Sequence, residues 1–256
     1  MQRYGPRVPD FALADLAELT ASHDRLLAAV SGPGVFDDLA ARAPSGLPGW
    51  SRGHVLTHLA RNADGMGNLV DWATTGQRSP MYPSMQVREA DIEAGAGRPA
   101  GELVADLAEA SRRLERRLAE VGGPALEALV EMGPMRVPTR GAELVSLRVR
   151  EVEIHHVDLR VGYLPADWSA VFVGRTLGQL VPRFAGQGEV PVGALVATDT
   201  GDRWSFGGSG RGGGDLAGPA SALLGWLTGR IGAQEAAAAG LVVSGGANVP
   251  AAPRWT

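Results

Sequence analysis

Apolar residues recur at helical spacing along the first half of the chain. Leu13, Leu16, Leu19, Leu26 and Leu27 mark a helix from Pro9 to about Val30, closed by Ser31-Gly-Pro-Gly34. A loop through Pro44-Ser-Gly-Leu-Pro48 follows. Ser51 is then suited to cap a second helix that runs to about Thr75 and stops at Gly76. Leu103, Leu107, Leu114 and Leu118 share one face of a third helix, Ala100 to about Val121. A fourth spans roughly Thr139 to Gly162. The stretch from Gly76 to Pro99 is too long for a simple connector, so it is expected to carry function or short helices. Four helices of some twenty residues predict a bundle.

The pattern changes near Leu164. A helix from Ala166 to Phe184 precedes a strand-like run, Val190 to Thr198, with a partner over Asp202 to Phe206. A Gly-rich loop, Gly207 to Gly214, leads into a helix expected over Leu216 to about Thr228, and Leu241 to Ser244 reads as a last strand. These elements predict a small α/β domain. The whole is an α+β multidomain chain, divided into a helical domain over 1–163 and an α/β domain over 164–256.

Charge and composition narrow the function. A formal net charge of −4 and a pI near 5.8 argue against a nucleic-acid binder. No apolar run reaches the length of a membrane span, and the N-terminus lacks a signal-peptide core, so a cytoplasmic location is expected. The chain has no cysteine, which excludes disulfides, thiolate metal sites and a cysteine nucleophile. All 24 basic residues are arginine, so no lysine can form a Schiff base. Any thiol or carbonyl chemistry must come from an added cofactor.

Four of the five histidines fall in two pairs, His54/His58 and His155/His156. Residues four apart share a helix face, so His54/His58 and Glu151/His155 can each present two ligands to one point. Together the two helices offer a His/His/carboxylate set suited to a divalent ion. The alternatives are a capping role for the first pair and a salt-bridged solvent face for the second. Val152, Ile154 and Val157 interleave with Glu151, Glu153, His155, His156 and Asp158, which turns part of that polar cluster inward. His156 points about 100° away from His155 and cannot easily share its ion. The spacing HxxxH lacks the glutamate of the HExxH metalloproteases. The Gly207 to Gly214 loop has no Gly-Lys-Ser/Thr ending and reads as a hairpin or linker, and Arg230 at a helix end would ordinarily complement the helix dipole.

Several segments in order along the chain resemble a known family. Gly49-Trp-Ser-Arg-Gly-His-Val-Leu-Thr-His-Leu-Ala60, Trp72 to Gly76, Pro80-Met-Tyr-Pro-Ser84, Arg150 to Leu159 and the terminal Pro253-Arg-Trp-Thr256 are similar to the mycothiol-dependent maleylpyruvate isomerases. The resemblance implies a DinB-like four-helix metal-binding bundle followed by a small C-terminal α/β domain. It implies a zinc site made by His58, Glu151 and His155, with His54 set aside, although such a donor set also accepts nickel or iron. It further implies an essential arginine in a Gly-Arg step after an apolar helix, matched here by Gly229-Arg230. Arg52, Asn62 and the Pro80 to Ser84 segment are expected near the site.

The activity implied is a cis-trans isomerisation in aromatic-compound catabolism. Mycothiol supplies a metal-bound thiolate that adds to maleylpyruvate, or a similar cis-enoyl diacid. Bond rotation and elimination then give fumarylpyruvate, with Arg230 holding a carboxylate or the enolate charge. The alternatives are a mycothiol S-transferase acting on an electrophile and a non-catalytic metal- or ligand-binding protein. The expected partners are a small-molecule substrate and a low-molecular-weight thiol, with no nucleic acid and no membrane, and the expected state is a monomer.

Overall fold

The computed structural model describes residues 10–253, apart from 33, 134, 189 and 210–212. The proposed helix start at Pro9, the centre of the Gly-rich loop and the terminal Arg-Trp-Thr similarity lie outside the described residues. The chain forms two compact units, Met1–Gly162 and Tyr163–Thr256.

In the first unit the principal helices are α1 (Asp10–Val30), α3 (Arg52–Thr75), α5 (Ala100–Ala119) and α7 (Leu144–Asp158), with short helices α2 (Asp38–Arg42) and α6 (Pro124–Glu127). Helix α3 packs on both α5 and α7, and α1 does the same. The core between them holds Leu19, Leu26, Val55, Leu56, Leu59, Met66, Leu107, Val149 and Val152, all at 0% exposure. The ends of α3 follow from local chemistry. The Ser51 side chain accepts from His54 N, the His54 ring returns a contact to Ser51, and Gly76 closes the helix at φ 73°.

The Gly76 to Pro99 stretch contains a further helix, α4 (Met85–Ala96), capped by Ser84. Two glycines hold it close to α3. A Cβ on Gly53 would lie 2.3 Å from the Ala96 carbonyl oxygen, and one on Gly95 would lie 2.5 Å from Thr57 Cγ2.

The expected helix start at Thr139 is not observed. Strands β1 (Leu129–Met132) and β2 (Val137–Arg140) pair antiparallel, with Val130 opposite Thr139, and a 3-10 turn at Gly141–Glu143 leads into α7. Val137 and Thr139 are β-branched and Pro138 has no amide to donate, so this segment favours an edge strand over a helical first turn.

The second unit is a four-stranded sheet covered by α8 (Ala170–Gln187) and α9 (Ala220–Leu227). Its order is β4 (Arg203–Ser205), β3 (Ala194–Ala197), β5 (Leu216–Gly218), β6 (Val242–Val243), and only the β3–β5 pair is parallel. The helix expected from Leu216 is therefore a strand followed by a helix. Pro219 breaks the run, since it restricts Gly218 and begins α9 as its N-cap. The helix expected from Ala166 begins instead at Ala170, where Ser169 accepts from Phe172 N, after a 3-10 turn at Pro165–Asp167.

No helix among the described residues is long and apolar enough to cross a membrane.

Candidate metal centre

His58 lies on the buried face of α3, while Glu151 and His155 are one turn apart on α7. Because α3 packs on α7, the three side chains converge. One ligand atom from each lies within 4.8 Å of the others. His58 Nε2 is 3.2 Å from Glu151 Oε2, and His155 Nε2 is 3.7 Å from the same oxygen. Bonds of about 2.0–2.1 Å to a tetrahedral zinc would set ligand-to-ligand edges of about 3.3 Å. The observed separations bracket that value, so the donor set fits such an ion.

His155 and Glu151 are each oriented from behind. His155 Nδ1 bonds Asp158 Oδ2 at 2.8 Å, which places the ring proton on Nδ1 and aims the Nε2 lone pair at Glu151. Asn62, one turn beyond His58, donates from Nδ2 to Glu151 Oε2 at 3.2 Å. Its amide cannot turn over, because Arg148 Nη1 donates to Asn62 Oδ1 at 2.7 Å and a guanidinium can only donate. Arg148 is completely buried and also donates to the Leu59 carbonyl at 3.0 Å and to His23 Nε2 at 3.3 Å. His23 in turn bonds Glu115 Oε1 at 2.5 Å.

The electrostatics favour ligation. Burial lowers His58 to about 4, so the ring is neutral near pH 7. Burial works against the ionised form of Glu151. The His58 hydrogen bond and the potentials of His155, His58 and Arg150 outweigh it and hold the carboxyl well below the usual carboxylate range. Burial lowers Arg148 to about 10, where it still carries its charge beside Glu151 at neutral pH.

The other polar residues of the two motifs take different places. His54 belongs to the α3 cap, with Nδ1 2.7 Å from Ser51 Oγ and Nε2 3.1 Å from Glu93 Oε2. Glu153 faces α1, where Arg25 bonds it at 2.5 Å. His156 is buried and stands outside the cluster. Arg52 donates to the Arg160 carbonyl at 2.8 Å. In the second unit, Arg230 follows Gly229 after α9 and donates to the Thr228 carbonyl at 2.5 Å.

Three further residues lie beside the histidines. The Trp50 ring lies 5.6 Å from that of His58 and lines a cavity of about 450 Å³ together with Arg42 and Arg160. Arg88 on α4 reaches His58 Nδ1 at 3.1 Å, and its guanidinium lies 5.6 Å from the ring centre of Tyr82. Tyr82 lines a second cavity, of about 270 Å³, with Arg78, Met81 and Met85. Trp50 and Tyr82 fall within segments that resemble the family, whereas Arg88 falls outside them.

The model of the mycothiol maleylpyruvate isomerase N-terminal domain matches residues 16–160. No curated protein matches the chain. Among solved structures, the chain is similar to a mycothiol-dependent maleylpyruvate isomerase and to a histidine-to-alanine mutant of that enzyme. Each comparison gives a TM-score of 0.83 at 25% identity, covering 95% of this chain and 97% of the other. The matched residues are more than half of the chain and contain His58, Glu151 and His155. The chain thus belongs to the family of proteins built on the mycothiol maleylpyruvate isomerase N-terminal domain.

Proposed function

We propose that the protein is a mycothiol-dependent cis-trans isomerase of maleylpyruvate or a similar cis-enoyl diacid, working through a zinc-type centre. The observation that carries this reading is the convergence of His58, Glu151 and His155 in a chain without cysteine. Three protein donors are the number found in catalytic zinc sites, where a fourth position takes a small molecule. A divalent cation bound there supplies positive charge that favours the thiolate form of an added thiol near neutral pH.

The chain's own residues prepare that chemistry. Glu151 contributes the negative charge that offsets the cation. Asp158 fixes the tautomer of His155, and Asn62, held by Arg148, occupies one lone pair of the Glu151 carboxylate. The proposed reaction is thiol addition to the cis double bond, rotation about the resulting single bond, and loss of the thiol to give the trans acid. Arg230 is proposed to hold a carboxylate or the enolate charge, on the strength of its Gly-Arg step after an apolar helix. We also read the packing of α1, α3, α5 and α7 as a DinB-like four-helix bundle, and the second unit as a separate α/β domain.

The test is incubation of the zinc-loaded protein with maleylpyruvate and labelled mycothiol. The trans acid with the label recovered as free thiol supports the isomerase. A stable labelled thioether identifies an S-transferase instead. Full activity in a metal-free His58→Ala protein would overturn the metal assignment.

A further inference from the structure

We propose that Arg88 binds a carboxylate of the substrate, and that its contact with His58 gives way to this role when His58 ligates the metal. The inference rests on the proposed function and extends it to a residue that no motif marks.

The first observation is the company Arg88 keeps. Neighbouring arginines of α3, α5 and the turn between α4 and α5 sit on acids: Arg61 and Arg98 on Asp106 at 2.7 and 2.6 Å, and Arg113 on Asp64 at 2.8 Å. Among the described residues, no carboxylate pairs with Arg88. Its partners are a neutral ring nitrogen, His58 Nδ1, and the face of Tyr82. A half-buried guanidinium beside three metal donors, with no counter-ion of its own, would repel a cation unless it served an anion bound there.

The second observation concerns a proton. A guanidinium has no acceptor, so His58 Nδ1 must accept from Arg88, and the ring proton sits on Nε2, facing Glu151 Oε2 at 3.2 Å. A neutral histidine that ligates through Nε2 carries its proton on Nδ1, and that nitrogen can no longer accept. Metal ligation by His58 and the Arg88 contact therefore exclude each other. Once released, the guanidinium remains on α4, which the close approaches at Gly53 and Gly95 fix against α3 within reach of the centre. Its planar fork matches a carboxylate, and a cis-enoyl diacid carries two.

The experiment measures binding of maleate to the zinc-loaded full chain by calorimetry, without thiol so that nothing reacts, together with zinc affinity by chelator competition. Arg88→Gln should weaken maleate by about tenfold or more while zinc binds as tightly as in the wild type, or more tightly. Arg88→Lys should recover part of the maleate binding, as a point charge without the fork. The proposal is overturned if the wild type does not bind maleate, if Arg88→Gln binds it unchanged, or if Arg88→Gln loses zinc affinity, which would make Arg88 a support for His58. Maleate binding that depends on Arg88 in a protein inactive on maleylpyruvate would uphold this role and defeat the isomerase reading.

Discussion

Asp158 holds His155 from behind: its Oδ2 takes the Nδ1 proton at 2.8 Å, three residues further along the same helix. The carboxylate is itself buried, at 3% exposure, so the hydrogen bond is shielded from water. Such a pairing fixes which nitrogen faces the ion and raises its basicity. Asp158→Ala should therefore lower zinc affinity by about 10–100-fold. Asp158→Asn, whose amide oxygen can still accept, should lose less. Chelator competition gives both values, and equal affinity in all three proteins would remove Asp158 from the site.

The buried Arg148 should prove structural and positional together. Arg148→Met leaves the Asn62 amide oxygen, the Leu59 carbonyl and His23 Nε2 without their donor. With about 1–3 kcal/mol for each buried group left unpaired, a loss of about 3 kcal/mol or more is expected in urea unfolding. Zinc affinity should fall as well, since the Asn62 amide is then free to turn its oxygen towards Glu151. A loss below about 1 kcal/mol would show that the network relaxes without Arg148.

Acid should destabilise the protein before ordinary carboxylates titrate. His58 is lowered from 6.5 to about 4 and His23 is also lowered, both chiefly by burial. The unfolded chain takes up these protons below about pH 6.5, whereas the folded chain holds off that of His58 until about pH 4. Stability is therefore full above pH 6.5 and is lost progressively below it, by about 3 kcal/mol at pH 4 from His58 alone. Urea unfolding in the presence of a chelator measures this, and His58→Gln should flatten the slope. A flat profile from pH 6.5 to 4.5 would contradict the buried neutral histidines.

The close approach of α3 and α4 gives a paired prediction. Gly53→Ala drives a methyl group to 2.3 Å from the Ala96 carbonyl, a backbone atom that can move only with its helix. A loss of about 1–3 kcal/mol is expected. Gly101→Ala on α5, with nothing within 4 Å of the new methyl, should be neutral or slightly stabilising. Comparable losses in both would show that the α3–α4 contact has no special tightness.

The parts legible in sequence are those set by local chemistry. Ser51 and Gly76 bound α3 because a hydroxyl cap and a left-handed glycine are local signals, and Ala100 begins α5 directly after Pro99. Glu151 and His155 share a face because helical spacing alone requires it, while His58 in preference to His54 came from family resemblance. The β1–β2 hairpin is short, four residues to a strand, and its second strand ends at Arg140, inside the segment whose spacing predicts a helix from Thr139. The β5–α9 break at Pro219 was hidden within an apolar run that suits a strand and a helix equally. The supporting shell was legible only in part: Asn62 and Asp158 lie in or beside the marked segments and support Glu151 and His155. His23 and Arg88 meet the site from helices far apart in sequence from α7. Arg148, although it lies one turn before Glu151 on α7, acts through Asn62 of α3, a contact that only the packing of the helices makes.

The absence of cysteine makes one spectroscopic result decisive. X-ray absorption at the zinc edge of the reconstituted protein should show only nitrogen and oxygen neighbours, at about 2.0–2.1 Å, and mycothiol should add one sulfur at about 2.3 Å. No cysteine of the chain can supply that sulfur. An unchanged nitrogen and oxygen shell under saturating mycothiol, or zinc bound equally well by His58→Ala, would contradict a thiol-accepting centre at His58, Glu151 and His155.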